Sequence, residues 1–310
     1  MSGEGLRLPD FFIVGQPKSG TTALYQMLRE QHPGVFMTGV RSPKFFSTDQ
    51  LADSGREQLN LPTTLEQYAA LFANAAPDQI VGEASPGYLS STTAAANIAE
   101  VRPDARIIAI LREPADFLRS FHLQLIEERV EHETDLRRAL ENERFERDGQ
   151  VIERYGRFLN YVELLRRYEA VFSPEQILVL IYDDYRADNE GTLRTVLRHI
   201  GADDSFEFQL LQSNPTVSVR SQRLDGMLHN VRSGRGTGAS ALHRAIKAVV
   251  PRSIRQSAME RAQTSLHAPP PPRDEELMAE LRVRLKPQVQ ALSEHLDRDL
   301  VSLWGYEQVC

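Results

Sequence analysis

Five short apolar runs set the frame of this chain. They are Phe11-Phe12-Ile13-Val14, Val35-Phe36-Met37, Ile80-Val81, Ala105-Arg106-Ile107-Ile108-Ala109-Ile110-Leu111 and Ile177-Leu178-Val179-Leu180-Ile181-Tyr182. Each is close to continuous rather than alternating, the pattern of strands buried on both faces of a parallel sheet. Between them apolar positions recur at helical spacing. Ala23, Leu24, Met27 and Leu28 share a face after the first run, and Phe117, Leu118, Phe121 and Leu125 do so after the fourth. The pattern also predicts helices over 65–72, 92–101 and 190–200, with Gly201 closing the last. Residues 127–148 mix Glu and Arg and predict an exposed charged helical region that ends at an Asp148-Gly149 turn. A longer amphipathic helix is expected over 152–172. Strands that alternate with helices predict an α/β fold, a mostly parallel sheet flanked by helices on both faces.

Beyond residue 200 the periodicity weakens. Residues 232–240 include Ser-Gly-Arg-Gly-Thr-Gly and predict a flexible segment. Short helices are expected over 242–250 and 254–263, and 269–272 is a polyproline connector. A final helical region over 275–300, interrupted or kinked at Pro287, would complete a C-terminal helical cap over 241–310. Trp304 and Tyr306 are expected to pin its end to the core. No repeat or second boundary breaks the chain, so one domain over 1–310 is expected.

Composition narrows the chemistry. A net charge of −7 over 310 residues leaves no basic excess for general nucleic-acid binding. The lone cysteine, Cys310, excludes a disulfide framework or a cysteine metal site within one chain. No apolar stretch approaches the ~20 residues of a membrane span, and residues 1–10 lack a signal-peptide pattern. A soluble, cytoplasmic protein with no metal is the expectation.

The candidate chemistry sits where strands give way to helices. After the first strand, Gly15 and Gly20 bracket a tight loop, and Thr21-Thr22 lead into a helix. Such a loop can turn backbone N–H groups towards an anion, with the helix N-terminus behind it. Lys18 adds a full charge, Ser19, Thr21 and Thr22 add hydroxyls, and Gly20 permits close approach. An ordinary strand-to-helix turn is the plain alternative. In a nucleotide-hydrolysing loop, Lys follows the second glycine directly; here Thr21 does, and the lysine has moved ahead to Lys18. After the fourth strand, Arg112 and Ser120 can converge on a second anion, unless Arg112 merely pairs with a neighbouring Glu. Arg41-Ser42-Pro43-Lys44-Phe45-Phe46 suits a pocket rim or a loop anchored by its two aromatics. Glu83 stands at the end of the third strand, where open α/β sheets bind ligands. Asp183-Asp184 follow the fifth strand, the placement of a metal-binding acid in nucleotide hydrolases.

Taken jointly, the Pro17-Lys18-Ser19-Gly20-Thr21-Thr22 loop and the Arg112…Ser120 pair resemble the two phosphate sites of sulfotransferases that use 3′-phosphoadenosine 5′-phosphosulfate (PAPS). The resemblance implies a P-loop-like fold in which Lys18, Ser19, Gly20, Thr21 and Thr22 hold the 5′-phosphosulfate. It implies that Arg112 and Ser120 hold the 3′-phosphate. Arg220, in a basic loop with Ser218, Ser221 and Arg223, resembles the late segment that closes over that phosphate. Residues 41–46 are similar to the K-E-P-x-F-F segment whose Glu is the catalytic base. Arg41 replaces its Lys and Ser42 its Glu, so Ser42 stands at the base position without a base's chemistry. Glu83, within a segment resembling E-x-[ST]-P-x-Y, becomes the nearest candidate base, with His122 behind it. The implied reaction is sulfuryl transfer from PAPS to a hydroxyl or amine of a small-molecule, lipid or carbohydrate acceptor. A P-loop kinase or other phosphotransferase, and a nucleotide-binding relative that lacks the base, are the alternatives.

Overall fold

A computed structural model describes residues 5–50, 53–147, 150–208, 218–219, 267–268 and 270–309. In chain order the elements are β1 (Phe11–Gly15), α1 (Thr21–Gln31), β2 (Val35–Met37), α2 (Asp53–Gln58), α3 (Leu65–Ala69), β3 (Ile80–Ala84) and α4 (Ala94–Val101). Then come β4 (Arg106–Leu111), α5 (Pro114–Glu127), α6 (Leu136–Glu141), β5 (Arg144–Arg147), β6 (Gln150–Glu153), α7 (Tyr161–Glu169), β7 (Ile177–Ile181), α8 (Tyr182–Ala187) and α9 (Asn189–Ile200). The two-residue strands β8 (Ser218–Val219) and β9 (His267–Ala268) precede α10 (Glu275–His295) and α11 (Leu300–Leu303). The chain divides into two compact units. The first comprises residues 1–121, 135–214 and 275–310; the second comprises 122–134 and 215–274.

The first unit is built on a five-stranded sheet of order β2-β3-β1-β4-β7, parallel throughout. All five expected strands are present, and β1 is buried along its whole length. Side chains on a strand alternate between faces. Phe11, Ile13, Ile108 and Ile110 therefore pack one face against Leu24 and Leu28 of α1 and Leu193, Val196 and Leu197 of α9. Phe12 turns to the other face, where its ring meets Phe46 edge-on at 5.8 Å. Glu83 lies beside Phe12 in the register of β1 and β3 and so shares that second face. The β1, β3 and β4 ends, with their following loops, gather at one edge of the sheet.

Two helical expectations are corrected. Instead of a charged helix to residue 148 and an unbroken helix over 152–172, β5 and β6 form an antiparallel hairpin, and α7 begins only at Tyr161. Arg144 pairs with Glu153 across the hairpin at 3.0 Å. Glu143 closes its base by accepting the Gly156 N–H at 3.0 Å, and the Asn160 side chain caps α7. These contacts join residues about ten apart, which a helix would separate. The 49–79 stretch holds α2 as well as the helix expected near 65–72. α10 runs unbroken through Pro287. That residue is exposed, while Leu285, Val289 and Leu292 around it are buried and hold the helix in line.

Other expectations hold. Gly201 closes α9 in the left-handed conformation at φ 79°. Trp304 and Tyr306 do anchor the C-terminal stretch, the indole donating to Asp183 at 2.9 Å and the phenol to buried Glu113. Arg220, Ser221, Arg223, Asp148-Gly149, the 232–240 segment, the 242–250 and 254–263 helices and Cys310 lie outside the described residues. Ser218 is described only as part of β8.

Candidate active site

The loop after β1 is tied down by a residue the sequence did not single out. Gln16 is fully buried, and its backbone N–H donates to the Ile110 carbonyl of β4 at 2.8 Å. Its side-chain amide donates to the Phe158 carbonyl and the Tyr161 hydroxyl, both at 3.2 Å. Its oxygen accepts the Arg112 N–H at 3.4 Å. Tyr161 in turn donates to the Arg112 carbonyl at 2.8 Å. One glutamine thus joins the first strand-end loop to the second.

Lys18 and Gly20 both take left-handed backbone, at φ 62° and φ 84°, which folds the loop back on itself. A side chain at Gly20 would put its Cβ 2.8 Å from Tyr185 Cε1 and 3.2 Å from Tyr182 Cε2. Only glycine fits there without moving α8. No side chain caps α1, so its first amides remain available as donors, as an anion site at a helix N-terminus requires. Ser19 is buried, its hydroxyl 3.4 Å from the Pro17 carbonyl.

Arg112 does not pair with a neighbouring Glu. Its guanidinium donates to the Lys18 carbonyl at 2.9 Å and stacks over the Tyr182 ring at 4.9 Å. Glu113 points the other way, accepting the Ala115 and Asp116 N–H groups at the start of α5. A strand-end arginine is thus bonded directly to the loop after β1. Ser120, one and a half turns along α5, has a buried hydroxyl with no hydrogen-bond partner among the described residues. A buried orphan hydroxyl is unfavourable by about 1–3 kcal/mol, which an acceptor oxygen from a ligand would relieve.

Residues 41–46 lie across the end of β3. Ser42 N–H donates to the Ala84 carbonyl at 3.2 Å, Lys44 N–H to the Ser85 hydroxyl at 3.1 Å, and Phe46 N–H to the Tyr88 hydroxyl at 3.2 Å. Arg41 reaches α1, donating to Thr22 Oγ1 at 3.0 Å. This brings Ser42 and the loop after β1 to one edge of the sheet.

Glu83 is placed otherwise than a solvent-facing base. Its side chain is fully buried. Oε2 accepts from the hydroxyls of Tyr68 at 2.7 Å and Tyr88 at 3.0 Å, while Oε1 has no partner at hydrogen-bond geometry among the described residues. Burial pushes the carboxyl up to about 7, and the nearby hydroxyls of Ser85, Tyr68 and Tyr88 pull against it. His122, the other candidate base, has Nε2 3.3 Å from the Thr134 carbonyl. The acids after β7 are engaged as well: Asp184 takes a forked pair from Arg298 at 2.5 and 2.7 Å, and Asp183 takes the Trp304 indole. A cavity of about 470 Å³ elsewhere in the first unit is lined by Leu118, Asn160, Leu164, Leu285 and others. None of the loop residues, Arg112 or Ser120 lines it, so it is not the anion site.

Comparison with known proteins agrees with this geometry. Human carbohydrate sulfotransferase 15 is 26% identical over 270 residues, covering 69% of this chain and 47% of the relative. Mouse bifunctional heparan sulfate N-deacetylase/N-sulfotransferase 4 is 27% identical over 237 residues, covering 71% of this chain and 25% of the relative. The chain therefore spans half or less of these curated relatives. A sulfotransferase from Alicyclobacillus acidocaldarius shares the fold at a TM-score of 0.67 and 23% identity, over 96% of this chain and 98% of that one. Residues 9–206, from the first strand through α9, match the model of the sulfotransferase family, and the chain belongs to that family.

Proposed function

We propose that the chain transfers a sulfuryl group from PAPS to a hydroxyl or amine of a carbohydrate or other small-molecule acceptor. The observation that carries this reading is the bond from the Arg112 guanidinium to the Lys18 carbonyl, 2.9 Å long. It holds the two strand-end loops side by side, an arrangement that supports recognition of a nucleotide phosphorylated at two positions. Lys18, Ser19, Gly20, Thr21 and Thr22 would hold the 5′-phosphosulfate, and Arg112 and Ser120 the 3′-phosphate. Ser120's orphan hydroxyl supports its part. The Lys18 ammonium would stabilise negative charge on the bridging oxygen as the S–O bond breaks.

Calorimetry with 3′,5′-adenosine bisphosphate and with ATP·Mg²⁺, side by side, tests the reading. The bisphosphate should bind and raise the melting temperature, ATP only weakly, and Arg112→Ala should remove most of the preference. Equal affinity for ATP·Mg²⁺, or an unchanged preference in Arg112→Ala, would sink it. A second reading, nucleotide binding without transfer, rests on the buried Glu83 and on Ser42 at the base position. Bisphosphate binding with no turnover of PAPS across hydroxyl and amine acceptors would select it.

A further inference from the structure

Glu83 is a buried acid at the mouth of the site that the proposed transfer leaves unused. A general base must come within about 2.6–3.2 Å of the proton it takes. Glu83 has 0% exposure, and the one oxygen that makes hydrogen bonds is already shared by two hydroxyl donors. With no exposed surface, the carboxyl is closed to an acceptor in this conformation.

What the carboxylate does hold is specific. Tyr88 donates its proton to Glu83 Oε2, and the same hydroxyl oxygen accepts the Phe46 N–H at 3.2 Å. An ionised carboxylate can only accept, so it fixes the direction of the Tyr88 hydroxyl and leaves the lone pair for Phe46. Tyr68, the second donor, stacks on Phe45 with centroids 4.6 Å apart and meets Phe46 edge-on at 5.1 Å. The two residues bound to Glu83 are thus the two that seat Phe45 and Phe46. Arg56, itself buried, clasps the same segment from outside through the Lys44 and Ser47 carbonyls. Lys44, within these anchors, and Ser42, whose N–H donates to the Ala84 carbonyl, are in left-handed backbone at φ 53° and 51°, a strained conformation that persists only where the surroundings impose it.

We propose that Glu83 is a positioning residue: through the Tyr88 and Tyr68 hydroxyls it locks residues 41–46 over the end of β3, and so sets where Arg41 and Ser42 stand beside the phosphate loop. Its relevance to transfer rests on the sulfotransferase reading, but the locking does not. The lock is pH-sensitive. Protonation puts a hydrogen on the carboxyl and turns a charged acceptor into a weaker neutral one. The groups facing Glu83 are Tyr68 from α3, Tyr88 and Ser85 from the turn after β3, and Tyr168 from α7, with Arg167 and Asp49 acting on Tyr168 beyond. None of these tyrosines ionises near neutrality, since burial pushes all three phenols up. The switch therefore follows Glu83, near pH 7.

Amide hydrogen exchange on the nucleotide-free protein tests this without any ligand. For openings that free the Phe46 amide while Glu83 stays buried, protection in the parent, corrected for the intrinsic rate, should rise about fivefold between pH 6 and 8, the worth of roughly one hydrogen bond, even as global stability declines. Glu83→Gln keeps an acceptor oxygen and should abolish the step. Tyr88→Phe removes the bridge and should lower protection at least about fivefold at pH 8 and flatten the step between pH 6 and 8. Amides of β4 serve as the reference for global opening. A step that persists in Glu83→Gln overturns the proposal, as does full protection in Tyr88→Phe, or losses as large in β4 as at Phe46. Because no nucleotide is present, a failure here is separate from a failure of bisphosphate binding.

Discussion

Replacing Gly20 with alanine should disturb the loop after β1 in a way that can be separated from the general burden of a left-handed residue. Gly20 and Gly201 have nearly the same backbone, φ 84° and φ 79°. An L-residue in that region is unfavourable by about 1–2 kcal/mol. The alanine also restricts the unfolded chain, which offsets about 0.4–1 kcal/mol in both variants. The surroundings differ. A Cβ at Gly201 meets nothing within 4 Å, whereas at Gly20 it would lie 2.8 Å from Tyr185 Cε1 and 3.2 Å from Tyr182 Cε2. Tyr185 is buried against Met27 and the α1–α9 core, so it has little room to retreat. Forcing such a group adds about 1–3 kcal/mol. Gly20→Ala should therefore be less stable than Gly201→Ala by that amount in urea titration at 25 °C. The strain also has a direction, because Arg112 stacks on Tyr182. Displacing the ring should move the guanidinium, and affinity for 3′,5′-adenosine bisphosphate should fall in Gly20→Ala while Gly201→Ala binds normally. Equal destabilisation of the two variants, or unchanged affinity in Gly20→Ala, would refute the packing of α8 on the loop.

Three further outcomes follow from the same geometry. Lys18→Ala should slow transfer from PAPS more than it weakens bisphosphate binding, since the backbone cradle survives; equal losses in stopped-flow turnover and calorimetry would make the lysine only an anchor. Ser120→Ala removes an orphan hydroxyl and should leave the free protein as stable or up to about 1 kcal/mol more so, yet weaken bisphosphate binding about five- to tenfold; unchanged affinity would take Ser120 out of the site. The raised carboxyl of Glu83, about 7 against an ordinary value of 4.5, means the native state keeps a proton that the unfolded state has lost between those pH values. This contribution to stability is present below pH 4.5 and declines as pH rises to 7, by up to roughly 3 kcal/mol. The stability difference between parent and Glu83→Gln should follow that slope, and a difference that is flat with pH would contradict it.

The sheet was legible because buried parallel strands announce themselves as unbroken apolar runs, and all five did. The strand-end placement of Lys18 and Arg112 was legible for a related reason: a glycine-bracketed loop and an arginine directly after apolar runs fall at the edge where such strands end. Three things were not. Gln16 looks like an ordinary loop residue, and its part is visible only once Phe158 and Tyr161, about 145 residues on, close around it. The β5–β6 hairpin hid in a run of mixed charges, because Arg and Glu that pair across strands also suit the i, i+4 spacing of a helix. Glu83 had the right position in the chain, but its accessibility was set by Tyr68 and Tyr88 on either side and by Tyr168 from α7. Strand-end placement told where the residue begins, not what would cover it.

The acidic pair after β7 shows why a local signal can carry two meanings that only distant residues separate. An apolar strand followed by Asp fits a metal ligand of a nucleotide hydrolase equally well. Here both carboxylates are occupied by the chain's own C-terminal stretch, Asp184 by Arg298 and Asp183 by Trp304. The ion pair is not what holds that stretch, since its side chains are 38% and 46% exposed and such pairs contribute about 0–1 kcal/mol. Burial of Trp304, Tyr306 and Leu300 supplies the larger share, at about 1.5–3 kcal/mol for a fully buried large apolar side chain. The carboxylates fix where those groups dock. The docking point is α8, the six-residue helix whose Tyr182 and Tyr185 close on Gly20 and carry Arg112. One short helix therefore ties the end of the chain on one side and shapes the phosphate loop on the other. The acids that looked like metal ligands instead meet the C-terminal stretch through Arg298 and Trp304.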